Sequence, residues 1–283
     1  MNKVKSSLKE AFFKKNNACR IHDVHGHLGP FLGINLPYNA AGKTIEAMDR
    51  CGINTLILSH HSSLSSTEDG NERSLEAANA YPGRIFAYLM VNATRPENFK
   101  RDLRLFEKNK SAWAGMKFHT VSHGIPLMES KLLEEAIAVA NSEKLMILMH
   151  TWGYDKSTCP DNIDTLFEKY PDAIFILGHA CHGEWDKAVR FIRNFPNVYA
   201  DICAVVDECG PLEKMVREAG SEKILYGTDF PWFDFNYYTG AVLGADISDE
   251  DRENILYKNF ERILKNNLGN LKLNTKDMHN DIR

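Results

Sequence analysis

No run of 18 apolar residues occurs anywhere in the 283-residue chain, which excludes a helix that crosses a bilayer. Neither sign of charge dominates. The 34 Lys and Arg residues stand against 38 Asp and Glu, a net charge of -4, so the sequence lacks the electrostatic footprint for nucleic acid or an acidic membrane. Cysteine is sparse and unpatterned. The six thiols (Cys19, Cys51, Cys159, Cys181, Cys203 and Cys209) form no C-x-x-C and no regular spacing. The first seventeen residues are basic but lack the apolar core of a secretory leader. The expectation is a cytoplasmic chain with free thiols rather than a disulfide framework. No glycine-rich phosphate loop follows the first apolar run, which argues against an open dinucleotide-binding sheet.

What remains is an ordinary globular composition, 43% hydrophobic and 25% charged, long enough for one large core. Eight short apolar runs punctuate it: Cys19–His25, Asn54–Ser59, Ile85–Val91, Ala112–Phe118, Leu145–His150, Ala173–Gly178, Val198–Asp201 and Lys223–Gly227. Near-continuous apolar strands are buried on both faces, as in a parallel sheet under helices. Helical segments separate them, among them one opened by Pro96, one by Pro160 and a last long one over Asp249–Leu264. At Tyr81-Pro82, Tyr170-Pro171 and Phe195-Pro196 an aromatic-proline pair stops a helix two to three residues before a strand. Eight strand-helix units in one chain predict an α/β protein, a (β/α)8 TIM barrel. Its parts are a short amphipathic helix within residues 1–18 carried by Val4, Leu8 and Phe12, the barrel over 19–266, and a loosely held polar tail over 267–283.

In a barrel the chemistry collects at the C-terminal ends of the strands. Nine of the eleven histidines (25, 27, 60, 61, 119, 123, 150, 179, 182) fall at or just past such an end, together with Asn92, Lys117, Asp201 and Asp229. In His25-Gly26-His27 the two imidazoles share one face of the first strand and can converge on a metal ion, with Asp23 behind them placed to order an imidazole. Imidazoles and a carboxylate without thiolate suit a divalent metal of the zinc class, which turns bound water into hydroxide near neutral pH. Asp229 can take that water's proton, and His179 can donate to a substrate oxygen as charge builds there.

His60 and His61 are consecutive and point opposite ways, so at most one faces a substrate. His119 shares a strand face with Lys117. Trp152, Trp232 and Phe233 follow the fifth and eighth strands and can form an aromatic rim, or else pack beneath loops. His123 and His182 read as solvated loop residues, Arg73 and Arg84 as surface cations, and Asp201 equally as a cap or a functional carboxylate.

As an ordered set, Asp23-Val24-His25-Gly26-His27, Gly115-Met116-Lys117-Phe118-His119, Met149-His150, Leu177-Gly178-His179 and Tyr226-Gly227-Thr228-Asp229-Phe230-Pro231 resemble the amidohydrolase superfamily, in particular its amidohydrolase-2 branch. The segment Ile255-Leu256-Tyr257-Lys258-Asn259-Phe260-Glu261-Arg262-Ile263 is similar to that branch's closing helix, although Phe260 replaces the usual small residue. The resemblance covers about residues 20–266 and implies His25, His27, His150 and Asp229 as metal ligands. His179 then lies near metal and substrate. One zinc-class ion is expected, with a second if Lys117 is carboxylated as in some superfamily members; an uncarboxylated Lys117 would instead aim its ammonium at a substrate anion.

The catalytic set is thus Asp229, His179 and Lys117, with His119, His60, Trp152 and Trp232 toward the substrate. The expected reaction is hydrolysis of a small lactone, ester or amide by metal-bound hydroxide, with Asp229 as general base and acid. The alternative, also a reaction of this branch, is non-oxidative decarboxylation of an aromatic or unsaturated acid. Retention of His25, where many decarboxylases carry an acidic residue, favours hydrolysis. A metal-binding protein without turnover is the third reading. Small-molecule substrates are the expected partners, and homodimerisation is compatible with the scaffold.

Overall fold

The computed structural model describes residues 6–13 and 19–274. Eight parallel strands follow one another in chain order around a curled sheet: β1 His22–Leu28, β2 Thr55–His60, β3 Ile85–Met90, β4 Trp113–Phe118, β5 Met146–Trp152, β6 Ile174–His182, β7 Val198–Asp201 and β8 Ile224–Leu225. Three backbone bonds bring the last strand back to the first. Val24 N–H donates to Tyr226 O (2.9 Å), His27 N–H to Phe230 O (2.6 Å) and Asp229 N–H to His25 O (2.7 Å). The (β/α)8 expectation is met, and the mouth of the barrel lies where those late bonds form.

The apolar runs become strands because almost every position is covered on both faces. β3 and β4 are buried at all six positions, with Tyr88, Trp113 and Met116 fully enclosed. Helices between strands cover the outer face. Ser66, Ser130 and Ser248 cap three of them through their hydroxyl oxygens, and Asp251 returns the bond to the Ser248 N–H. Pro96 sits in a helix's first turn. Tyr81, Tyr170 and Phe195 end their helices as expected, each N–H closing the last turn onto Ala77, Leu166 or Phe191.

Several boundaries move. β1 starts three residues later than Cys19 and runs through His27, because the Ile21 N–H is taken by the Asn54 side chain while His27 pairs with Ser59. β5 and β6 run on past His150 and His179 into the mouth. β8 is only two residues long, since Tyr226 N–H turns to Ile255 O and Thr228 N–H to the Asp23 side chain. The helix expected from Pro160 begins at Asp164. The expected single last helix is interrupted by a wider turn over Asn254–Lys258. A helix over Phe235–Gly244 was not expected at all.

The N-terminal helix spans Ser7–Phe13 and buries Leu8; Val4 lies outside the described residues. The tail is not loosely held at its start, because Leu268 and Leu271 are buried and Asn274 N–H reaches Gly83 O. Below the barrel, Arg20 and His22 both bond Glu261 of the closing helix, at 2.5 and 3.1 Å.

Candidate active site

The mouth encloses a cavity of about 280 Å³. Its lining includes His25, His27, Phe31, His61, Lys117, His119, Ser122, His150, Trp152, His179, Asp229, Trp232 and Phe233. With Ala204 after β7, seven strand ends or following loops contribute, so residues more than two hundred positions apart in sequence meet here.

Asp229 is the centre of the floor. Its Oδ1 lies 2.8 Å from His27 Nε2 and 3.5 Å from His25 Nε2. These three donor atoms lie within 4.8 Å of one another. The ring tautomers follow from the opposite nitrogens. His25 Nδ1 is 2.7 Å from Asp201 Oδ2, and His27 Nδ1 is 3.2 Å from Ser59 O, so both rings place their proton there. Burial, followed by the charge of Lys117, holds His25 well below the usual histidine range. Burial alone would raise Asp229, yet His25 and His27 beside it hold it well below the carboxylate range. The two Nε2 atoms and an ionised carboxylate therefore converge on one point, where Lys117 Nζ also reaches His25 Nε2. Separations of 2.8 and 3.5 Å bracket the edge of a tetrahedron whose bonds are about 2.0–2.1 Å long. The donor set fits a divalent ion held by His25, His27 and Asp229.

His150 stands on the other side of the floor. Its Nδ1 is 3.1 Å from His179 Nε2, and its ring stacks on His119 at 4.3 Å. His150 thus lies in the same cavity but outside the tight three-donor group. Burial, then the Lys117 charge, lowers its pKa to about 4. His179 Nδ1 meets Cys203 Sγ at 3.1 Å, and burial, then His150, keeps the ring neutral. Lys117 is fully enclosed, and its Nζ donates to His25 Nε2 at 3.0 Å. Burial brings its pKa down to about 8, against the pull of Asp229 and Asp201.

The carboxylate that orders an imidazole is Asp201, not Asp23. Asp201 Oδ2 accepts from His25 while Oδ1 accepts the N–H groups of His179 (2.9 Å) and Cys203 (3.1 Å). Burial raises its pKa to about 6. The register shift in β1 between Asp23 and Gly26 turns Asp23 to the β8 side, where it accepts from His25 N–H, Thr228 N–H and the Thr228 hydroxyl. The close approach of Asp201 and His25 requires Gly227: a Cβ there would lie 2.8 Å from Asp201 Cβ and 3.1 Å from His25 Cβ.

Of the two consecutive histidines, His61 faces the cavity and His60 does not. His60 Nδ1 is held by Ser62 at 2.7 Å, and its ring lies over Gly29 in a separate groove with Arg73. Alternation explains the split. His61 is neither free nor charged. Its Nδ1 donates to Gly29 O (2.8 Å), its Nε2 accepts from Trp232 Nε1 (3.0 Å), and it stacks on His27 at 4.8 Å. His123 is buried rather than solvated, and His182 packs against Trp152 at 4.2 Å. Arg84 bonds Asp49 and the carbonyls of Ile53 and Asn54, at the far end of the strands. The residues that sequence reasoning passed over are Phe31, Ser122 and Cys203. Phe31 lies in a loop without periodic signal, and Cys203 is a lone thiol beyond a short strand.

Strain gathers at this floor. His179, Ala180 and Cys181 are consecutive with φ of 67, 45 and 54°, Ala204 has 54° and Asp229 61°. Non-glycine residues rarely occupy this region, and runs of them mark places where the fold overrides local preference.

Fold and site together define a (β/α)8-barrel protein with a histidine-carboxylate centre at the C-terminal mouth. The chain belongs to the amidohydrolase family, whose model matches residues 22–265. No curated protein sequence matches it. Among solved structures it is similar to an uncharacterised TIM-barrel protein from Bordetella bronchiseptica, with 16% identity, 87% of this chain and 99% of the other covered, and a TM-score of 0.72. It is also similar to 2,6-dihydroxybenzoate decarboxylase from Rhizobium, at 15% identity, 87% and 98% coverage and a TM-score of 0.67. A third is 5-carboxyvanillate decarboxylase from Novosphingobium aromaticivorans, complexed with manganese and a nitrobenzoic acid, at 14% identity, 87% and 96% coverage and a TM-score of 0.67.

Proposed function

We propose that this chain is a metal-dependent decarboxylase that acts without oxidation on a small aromatic or unsaturated carboxylic acid. The observation that carries the reading is the cavity itself. Its size suits a single ring, Phe31, Trp152, Trp232 and Phe233 wall it, and its floor holds Lys117 beside the three-donor group. The decarboxylases of similar fold support it, which reverses the order of preference drawn from His25 and the shortness of the chain.

His25, His27 and Asp229 would hold the ion, and His150 lies in the same cavity. When bound, a divalent ion supplies positive charge against the negative charge that develops as the carboxylate leaves. Two imidazoles and a carboxylate suit zinc or manganese; a similar decarboxylase contains manganese, so zinc is no longer singled out. Lys117 is the cationic side chain of the described lining and meets the substrate carboxylate. The aromatic walls fix the ring and exclude water. As the carbon–carbon bond breaks, its electron pair stays on the ring carbon. Asp229, ionised at rest, would relay a proton taken up from solvent to that carbon, and carbon dioxide leaves. His179 would exchange its Nε2 contact with His150 Nδ1 for a substrate oxygen and steady it.

A second reading keeps the residues and cuts a lactone, ester or amide. The ionised state of Asp229 favours it, because a depressed carboxylate accepts a proton from water. A panel of aromatic acids, unsaturated acids, lactones and esters separates the two. Release of carbon dioxide with proton uptake supports decarboxylation. Proton release from lactones or esters, with no carbon dioxide from any acid, overturns it.

A further inference from the structure

Two buried thiols face each other behind the β5–β6 wall of the cavity. Cys159, in the loop after β5, and Cys181, near the end of β6, lie with their sulfurs 3.1 Å apart, and neither is part of the machinery described above. They are 22 residues apart in sequence. The other four cysteines are placed differently. Cys203 Sγ is turned to His179, Cys209 is exposed, and Cys19 and Cys51 are half-buried.

The surroundings hold both thiols in position. Cys181 N–H donates to the Thr151 hydroxyl (3.0 Å), and Cys159 N–H to Asp155 O (3.0 Å). Lys187 Nζ donates to Cys159 O at 2.6 Å, which sets an ammonium beside that thiol. A covalent bond between two sulfurs is about 2.0 Å long, so closure needs a movement of about 1 Å.

We infer that Cys159 and Cys181 are a dithiol modification site that a small peroxide closes to a disulfide. The Cys159 sulfur attacks one peroxide oxygen, the oxygen–oxygen bond breaks, and Cys159 becomes a sulfenic acid as its thiol proton and the departing hydroxide leave as water. Cys181 sulfur then attacks Cys159 sulfur. The sulfur–oxygen bond breaks, the Cys181 proton and the departing oxygen leave as water, and the two thiols have lost two electrons to one peroxide. Cys159 attacks first because it has Cys181 Sγ at 3.1 Å and the Lys187 ammonium beside it, both of which lower the Cys159 thiol. The closed pair ties the loop that follows Trp152 to the strand that carries His179. This inference stands on the thiol geometry and does not depend on which bond the enzyme cuts.

The test is a peptide map. The full reduced chain is treated with one equivalent of hydrogen peroxide, alkylated and digested without reductant. The expected result is a fall in alkylatable thiols from six to four, a Cys159–Cys181 linked peptide pair, and full reversal by dithiothreitol. Cys159→Ser and Cys181→Ser should each abolish that pair, whereas Cys209→Ser should leave it unchanged. Six thiols remaining, or oxidation confined to Cys209 or Cys203, overturns the assignment. The wild-type map decides the question even if a serine variant fails to fold.

Discussion

In the proposed reaction the chemistry narrows to one side chain, Asp229, which completes the three-donor group and would carry the proton. Asp229→Asn keeps the shape but removes the charge and the proton site, and turnover should fall by about 10²–10⁴-fold. Initial rates on the best substrate of the panel check this, and an unchanged rate would contradict it. Asp201 acts through His25. Asp201→Asn leaves an oxygen for the two backbone N–H groups but disturbs the imidazole tautomer, so metal affinity should drop about 10–100-fold. Competition with a chelator reads the change. These two residues also mark what a sequence can disclose. Asp229 was legible because Thr-Asp-Phe-Pro follows an apolar run. The role of Asp201 was not, because a carboxylate ending a short strand looks the same whether it caps a turn or steadies a ring. The expected role of Asp23 failed on a register shift in β1 that no periodicity reveals.

At the scale of elements, strands surrounded by apolar neighbours announce themselves, and β3, β4 and β7 begin and end within one residue of expectation. β8 does not, because its last residues bond to Asp23 and to the segment after the closing helix's first turn instead of to a ladder. The helix Phe235–Gly244 buries Phe235, Tyr238, Thr239, Val242 and Leu243, a helical spacing that was present in the sequence but hidden in an aromatic run read as a rim loop. Asn259 explains why an asparagine belongs in the closing segment: its Nδ2 donates to Ser221 O (2.7 Å) and Ile224 O (2.8 Å), pinning the helix to β8. Where β8 leaves the ladder, Gly227 has no room to grow. Gly227→Ala should cost about 1–3 kcal/mol through overpacking against Asp201 and His25. Denaturant midpoints measure it, and a wild-type midpoint would refute the close approach.

For the molecule as a whole, so many buried neutral histidines couple folding to pH. Burial is the first cause at each: His60 and His150 are lowered to about 4, His61 to about 3, and His22, His25, His119, His123 and His179 also fall below the usual 6.5. In the unfolded chain these rings gain protons as pH falls through 6.5, while the folded chain resists, so stability declines below that point. Asp23, raised by burial to about 8, and Asp201, raised to about 6, act in the opposite sense, as they take up protons on folding. Eight groups outweigh two. Chelator-treated protein should therefore lose stability steadily from pH 6.5 to 4.5 in urea titrations, and a flat or rising profile would contradict the neutral burial of these rings. The same scale shows what faces outward. The large hydrophobic residues exposed among those described (Leu32, Ile34, Val121, Trp152, Tyr154 and Tyr237) all lie on segments that follow strand ends, around the mouth. A planar acid entering there should quench tryptophan fluorescence, and Trp152→Ala should reduce that quenching. Equal quenching in the variant would place the ligand elsewhere.

His25, His27 and Asp229 are expected to hold one divalent ion at the mouth of this barrel. Elemental analysis of the purified chain, dialysed against manganese or zinc and freed of excess, tests it most directly. About one ion per chain is expected for the wild type, and less than a tenth of that for a folded Asp229→Ala variant with an unchanged circular dichroism spectrum. A variant that retains the full equivalent, or a wild-type chain that binds none, would contradict the account.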